Sequence, residues 1–235
     1  MKLFQNKKDL VVSYLTIRNA IGIIGIALPI VLLIGSVAIF NCNEIHQSIS
    51  DYYHTRMRNV FVGSMYAVAL FLFCYKGSGK ENVFGNLGGI FALGVILFPT
   101  ADDCRINCNL DLVVFNETLV NPELFGVFHL ISALLFFVVL IIFSLHLFIE
   151  KADPENDNKL TLNQKRRNIV FRLCGYTMIA SILAIGTYFI FFENEDCLTS
   201  QKIDFVFWME TLALWAFGTS WIVKGQLFWK DINEH

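Results

Sequence analysis

Long apolar runs alternate with short polar segments along nearly the whole chain. Each run comes close to about 20 residues, the length that an α-helix needs to cross the hydrocarbon core of a bilayer. The pattern therefore predicts six transmembrane helices joined by loops on the two membrane faces. The predicted spans cover residues 19–40, 59–75, 83–99, 126–149, 168–192 and 203–223.

The composition favours the same class of protein. Of the 235 residues, 55% are hydrophobic and 16% are charged, whereas soluble domains carry about 25% charged residues. We expect an all-α bundle in which residues 1–235 form one integral membrane domain. The first apolar run is longer than the roughly 7–15 residues of a signal-peptide core, so we interpret it as a retained span. A net charge of −2 gives no basic field for nucleic acid.

Basic residues are distributed unequally between the two sets of loops. Only four of the 18 Lys and Arg residues, namely Arg56, Arg58, Arg105 and Lys202, lie on the side reached after spans one, three and five. Because basic loops stay in the cytoplasm, both termini are predicted to be cytoplasmic, in an inner (cytoplasmic) membrane. The other side is called the outer side below.

Four cysteines fall on the outer side, where an oxidising environment favours disulfides. They are Cys42, Cys104, Cys108 and Cys197. Three pairings are open, and we favour Cys104–Cys108 with Cys42–Cys197, because the first pair is local and the second would tie span one to span five. The alternative is that these thiols stay free or bind a metal.

The stretch from Ser48 to Arg58, Ser-Ile-Ser-Asp-Tyr-Tyr-His-Thr-Arg-Met-Arg, concentrates polar groups at the mouth of span two. Asp51 and His54 are three residues apart, and Arg58 follows four residues later, so an α-helix would place them on one face. The serines and Asp51 resemble a helix N-cap. We therefore predict that the second helix begins near residue 50.

Polar groups from three further spans are predicted to lie in the same outer layer. Asp102 and Asp103 close span three, His129 lies about one turn into span four, and Glu210 lies about two turns into span six. Ionisable groups in membrane spans are functional candidates. Four helices therefore bring a carboxyl or an imidazole to one layer.

Two imidazoles beside carboxylates have the composition of a catalytic zinc site. The predicted ligands are His54, His129 and Asp102, with Asp103 or Glu210 as alternatives for the third. A metal-bound water would attack an ester or amide. Asp51 or Glu210 would act as general base, and Ser50 would hydrogen-bond an oxyanion.

Two other interpretations of this layer remain open. In the first, the groups form a helix-stapling network, with Asp51 paired to Arg56 or Arg58 and Glu210 paired to His129. In the second, the layer is a site for a ligand, a proton or an ion without catalysis.

Several segments resemble a family of uncharacterised bacterial multi-pass membrane proteins, which implies a topology and no activity. The resemblance runs through most of the chain. It is carried by residues 48–55, 58–63, 98–102 and 210–225, and by His129 with Ser132-Ala133.

Ser50-x3-His54 and an Asp at 102 or 103 are also similar to the superfamily of alkaline ceramidases and adiponectin-type receptors. That resemblance implies a zinc site and hydrolysis of a lipid amide. The chain departs from the pattern, because it has six predicted spans rather than seven and Glu210 in place of a His-x3-His on the last one. The Ser50-Asp51 pair further resembles the six-span family of autophagy modulators and lipid-remodelling factors, which implies a lipid context.

The sequence thus predicts a six-helix membrane protein with a polar site that opens outward. Its predicted activity is metal-dependent hydrolysis of a lipid amide or ester. The alternative is a non-enzymatic membrane protein that binds a lipid or small ligand, or a subunit of a larger membrane complex.

Overall fold

The computed structural model describes residues 2–42, 45–100, 122–151, 159–192 and 204–229. Within these ranges the chain is all-helical and no strand is present. The six α-helices are α1 (Lys2–Phe40), α2 (Arg58–Cys74), α3 (Gly79–Leu97), α4 (Pro122–Ile142), α5 (Leu162–Phe192) and α6 (Phe205–Lys224). A 3₁₀-helix precedes α2 at Ser50–His54, and a π-helix follows α4 at Phe143–Leu147.

Four helical segments among the described residues are long and apolar enough to cross a membrane. They are Leu15–Phe40, Glu123–Leu147, Leu162–Phe191 and Phe205–Lys224. The apolar helix α2 is shorter, with 17 residues, and α3 is not among the four. The helical fold is confirmed, and these four helices fit the predicted membrane class. The count of six spans stays a prediction.

The helices pack in a closed ring. Each contacts the next in the order α1, α2, α3, α4, α5, α6, and α6 returns to α1. About two thirds (67%) of the most apolar part of α6 is buried, against 33% or less in the other three candidate spans. The helix that carries Glu210 is therefore the most enclosed of these four.

The contact between α1 and α6 is a glycine crossing. A Cβ atom added at Gly22 would lie 2.6 Å from the carbonyl oxygen of Gly218, well inside van der Waals contact. Because neither residue has a Cβ atom, the two backbones approach closely. This crossing fixes α6 against α1 in the C-terminal half of α6.

The prediction of one helix starting near residue 50 is wrong. The 3₁₀-helix ends at His54, and Thr55 adopts an extended conformation before α2 begins at Arg58. The Thr55 hydroxyl donates to the Tyr52 carbonyl at 2.8 Å and accepts from the Met57 N–H at 3.0 Å. The Thr55 hydroxyl thus takes the place of backbone hydrogen-bond partners, and the helix is interrupted at this residue. Asp51, His54 and Arg58 do not share one α-helical face.

Two helices begin earlier than the predicted spans. The first helix starts at Lys2 rather than near residue 19, and α5 starts at Leu162 rather than near residue 168. The apolar pattern marks the part of each helix suited to lipid, while the helix itself continues into its polar flank.

Candidate functional site

The segment 45–57, which links α1 to α2, carries its own hydrogen-bonded turn. The backbone N–H of Ser48 donates to Asp51 Oδ2 at 2.8 Å, and the N–H of Asp51 donates to Ser48 Oγ at 3.1 Å. This reciprocal pair has the form of a capping box and starts the 3₁₀-helix. It holds the Asp51 carboxylate in one orientation.

Two hydrogen bonds tie this segment to the start of α6. The Ile49 N–H donates to Glu210 Oε2, with 2.6 Å between the two atoms. The Phe207 N–H donates to the Gln47 carbonyl at 2.7 Å. Because the first N–H groups of a helix lack partners within the helix, Gln47 supplies one for α6. The loop therefore reaches into the bundle as far as the second turn of α6.

Two contacts tie the same segment to the residues that follow α3. The Thr100 hydroxyl is 3.4 Å from Asp51 Oδ1, and His54 Nε2 is 2.9 Å from the Thr100 carbonyl oxygen. A carbonyl only accepts, so Nε2 of His54 carries the hydrogen. This leaves Nδ1 of His54 outside the contact.

His129 of α4 binds the end of α3 in a similar way. Its Nδ1 lies 2.7 Å from the Phe98 carbonyl and 3.0 Å from the Val95 carbonyl, and the residue is 6% exposed. Nδ1 must therefore be the protonated nitrogen, which satisfies carbonyls that the end of α3 leaves without a helical partner. Nε2 of His129 takes no part in these contacts.

Electrostatics distinguish Asp51 from an ordinary surface carboxylate. Burial raises the pKa of Asp51, while hydrogen bonds from Ser48 and Thr100 and the nearby His54 act in the opposite direction. Burial also raises the pKa of the adjacent Tyr52 to about 12, so its phenol stays neutral. A carboxyl with a perturbed pKa in a polar cluster is a candidate for proton transfer.

The structure brings several predicted residues to one end of the bundle, which we call the polar end (residues 45–57, 95–100, His129 and Glu210). Asp51 and His54 lie in segment 45–57 itself. Glu210 of α6 contacts that segment, and His129 of α4 contacts residues 95–98. Ser50 opens the 3₁₀-helix, but the hydroxyl bonded to Asp51 belongs to Ser48. Asp102, Asp103 and the cysteines Cys104, Cys108 and Cys197 lie outside the described residues.

The side-chain pairs predicted for a helix-stapling network are replaced by other contacts. Asp51 pairs with Ser48 and Thr100, and the Glu210 and His129 side chains bind backbone groups. The guanidinium of Arg58 lies 4.3 Å from the ring centroid of Tyr53 and donates to its hydroxyl at 2.6 Å. That of Arg56 lies 5.6 Å from the Phe40 ring centroid. The acids bind backbone and hydroxyl groups because the turn presents those donors at short range.

Sequence reasoning missed the backbone partners at this end. The Ile49 N–H and the carbonyls of Gln47, Phe98 and Thr100 carry no side-chain signal. The one signal in the sequence is Pro99, which follows the end of α3. Because proline has no N–H group, carbonyls at the end of α3 lack a helical donor and are available to other partners.

The ring nitrogens of His54 and His129 determine whether these residues can bind a metal. Metal-binding histidines commonly donate one ring N–H to a carbonyl or carboxylate, which leaves the other nitrogen for the metal. His54 donates through Nε2, which leaves Nδ1 for a metal. His129 donates through Nδ1, which leaves Nε2 for a metal. In the part of the chain that the structure describes, no group of three or more His, Cys, Asp or Glu residues is arranged to hold a metal. The third predicted ligand, Asp102, lies beyond that part.

Together, the all-helical fold and the four long apolar helices fit an integral membrane protein. No family model, curated protein or solved structure matches the chain. The function proposed below therefore rests on the geometry of the polar end.

Proposed function

We propose that this chain is a six-span integral membrane protein that binds a divalent metal, zinc by its ligand chemistry, at the polar end. The metal would be held by His54, His129 and Asp102. The proposed activity is hydrolysis of a lipid amide or ester. In the proposed topology both termini are cytoplasmic and the polar end faces the periplasm or exterior.

One observation carries this proposal. Two imidazoles from different elements, His54 and His129, donate their ring N–H groups to carbonyls of residues 95–100. The stretch is short and leads two residues later to Asp102. Each ring is held in a fixed tautomer with one nitrogen left over, which is how a protein orients histidine ligands.

A bound zinc would lower the pKa of its water to near 7 and polarise a substrate carbonyl. The half-buried Asp51 carboxyl, with its raised pKa, suits the role of proton acceptor. Glu210 is better suited to positioning, because Oε2 already accepts the Ile49 N–H. The Ser50 hydroxyl would hydrogen-bond a developing oxyanion.

The charges of the described side chains support the proposed topology. At the end opposite the polar end, which we call the basic end, Lys80, Lys151, Lys165 and Arg166 lie at or near helix termini. Cytoplasmic loops carry such an excess of Lys and Arg. The polar end would then face away from the cytoplasm.

The proposal is tested by elemental analysis of the detergent-purified protein, prepared without chelators, beside His54→Ala and His129→Ala. About one zinc per chain is expected in the wild type, with loss in both variants. His146→Ala is the matched control, because His146 is exposed near the basic end. A wild-type protein without metal, or equal loss in the control, would contradict the metal site.

A second candidate function is non-enzymatic. The protein would bind a lipid or small ligand, or would be a subunit of a larger membrane complex, and the polar end would have only a structural role. It is favoured by the use of Asp51 and Glu210, whose carboxylates hold segment 45–57 in place. A metal-free wild type that co-purifies with a stoichiometric protein would support it.

A further inference from the structure

A second polar network lies at the basic end, around α1 and α3. Arg18 Nη2 donates to the Tyr75 hydroxyl at 2.8 Å, and that hydroxyl donates to Glu81 Oε2 at 2.9 Å. Arg18 and Glu81 are also 4.0 Å apart as an ion pair. One cation and one carboxylate thus balance each other across Tyr75.

A second balanced pair joins α5 to the segment after the π-helix. Arg167, whose side chain is 1% exposed, donates from Nη2 to Glu150 Oε2 at 2.7 Å. Its Nη1 donates to the Trp229 carbonyl at 2.6 Å. Within the basic run Lys165-Arg166-Arg167, Arg166 is exposed and Arg167 is buried.

Lys224, the last residue of α6, is a third cation within this network. Its Nζ donates to the Phe148 carbonyl at 3.3 Å and lies 5.6 Å and 5.9 Å from the ring centroids of Phe148 and Phe171. Arg18 Nη1 donates to the Lys224 carbonyl at 3.4 Å, so the first pair lies beside this residue. No carboxylate of the described residues lies within ion-pair distance of it.

The described part of the network thus holds three cations and two carboxylates, and each carboxylate pairs with an arginine rather than with Lys224. A partly buried charge needs an anion to offset its lost hydration. The ammonium group is a common ligand of phosphate. It lies at the end of a candidate membrane span, where phospholipid headgroups are found.

The surface beside Lys224 has the composition of a lipid interface. Directly after α6, Leu227, Phe228 and Trp229 are 50%, 57% and 37% exposed. Aromatic residues prefer the headgroup level of a bilayer. This segment is held in place, because Leu227 N–H donates to Ile222 O and Arg167 binds the Trp229 carbonyl.

We infer that Lys224 binds the phosphate of an anionic phospholipid at the basic end, with Leu227, Phe228 and Trp229 against the lipid. A lipid fits better than free phosphate, because three exposed apolar side chains follow Lys224 within five residues of the chain. The leaflet would be the cytoplasmic one in the proposed topology. The binding does not depend on a metal at the polar end.

The test is native mass spectrometry of the detergent-solubilised protein with added phosphatidylglycerol or phosphatidylcholine. Wild type is expected to prefer phosphatidylglycerol. Lys224→Met keeps an unbranched apolar stem but removes the charge, and we expect its preference to fall by at least about fivefold, as one charge near a lipid surface contributes. Lys165→Met, which removes an exposed cation, should retain the wild-type preference.

Three results would overturn the inference. These are a wild type without preference for phosphatidylglycerol, equal losses in Lys224→Met and Lys165→Met, and displacement of the lipid by millimolar inorganic phosphate, which would make free phosphate the ligand. If Lys224→Met does not fold, Lys224→Gln removes the charge and keeps a polar end. A reduced preference in folded Lys224→Gln supports the site, and a wild-type preference in it argues against the site.

Discussion

The backbone N–H of Ile49 donates to the side-chain carboxylate of Glu210, with 2.6 Å between nitrogen and Oε2, although 161 residues separate them. Glu210 lies in the second turn of α6, so the loop after α1 extends past the first turn of that helix to contact it. A hydrogen bond between a loop N–H and a helix carboxyl leaves one polar group unsatisfied if the other is removed.

Removing the Glu210 carboxyl should therefore loosen segment 45–57. We expect Glu210→Ala to lower the free energy of unfolding by about 1–3 kcal/mol, because the Ile49 N–H loses its acceptor. Glu210→Gln keeps a carbonyl oxygen in the same place and should lose much less. Thermal unfolding in detergent compares the two. Equal losses would mean that the charge, and not the hydrogen bond, is required.

Asp51 should make the stability of the polar end depend on pH. Burial raises its folded-state pKa above the ordinary value of 3.8, so the folded protein binds the proton more tightly than the unfolded chain. The contribution of Asp51 to stability is greatest below pH 3.8 and falls as the pH rises through the raised pKa. Asp51→Asn should remove this part of the pH dependence.

The measurement is the unfolding midpoint of wild type and Asp51→Asn across acidic to neutral pH. The wild type should lose stability relative to Asp51→Asn as the pH rises. A difference that is constant over this range would show that Asp51 titrates with its ordinary pKa.

The helical class of the fold was predictable from the sequence, because apolar runs of bilayer length favour helices whatever their neighbours. The convergence of His54, His129 and Glu210 at one end was also predictable, since alternating spans fix which helix ends meet. The partners of these residues were not. They are backbone groups such as the Ile49 N–H and the Thr100 carbonyl, whose positions depend on the loop path.

The break between the 3₁₀-helix and α2 shows the same limit. Ser48 and Asp51 form the capping pair expected of a helix start, but Thr55 then binds the backbone through its hydroxyl and ends the helix one turn later. Local capping chemistry signals where a helix starts and does not determine its length.

The crossing of α1 and α6 predicts a strong effect of a single methyl group. Gly218→Ala would place a Cβ atom against the Gly22 carbonyl and the Ile26 backbone, so the helices must separate. We expect a loss of about 1–3 kcal/mol in unfolding free energy, as overpacking commonly gives. Gly63→Ala is the control, because nothing described lies within 4 Å of a Cβ at Gly63. Because alanine favours the helix more than glycine does, Gly63→Ala should be neutral or stabilising. A similar loss of stability in Gly63→Ala and Gly218→Ala would refute the close crossing.

The outer cysteines should be oxidised, while Cys74 and Cys174 are free thiols in the structure. Denaturation with an alkylating agent and no reductant should label only those two. Trypsin cuts after Arg105, so a Cys104–Cys108 disulfide would hold two peptides together until reduction. The favoured second pair would likewise join peptides carrying Cys42 and Cys197. Labelling of Cys42 without reductant would contradict that pairing, which stays a prediction.

Adjacent arginines of α5 should respond very differently to the same substitution. Arg167→Ala removes a buried guanidinium and leaves the Glu150 carboxylate and the Trp229 carbonyl without that donor. Breaking a buried ion pair in this way costs about 3–5 kcal/mol. Arg166→Ala is the matched control, since Arg166 is exposed and surface charges contribute about 0–1 kcal/mol. Unfolding in detergent should show a large loss for Arg167→Ala alone; similar midpoints for the two variants would mean that the Arg167–Glu150 pair does not hold the basic end together.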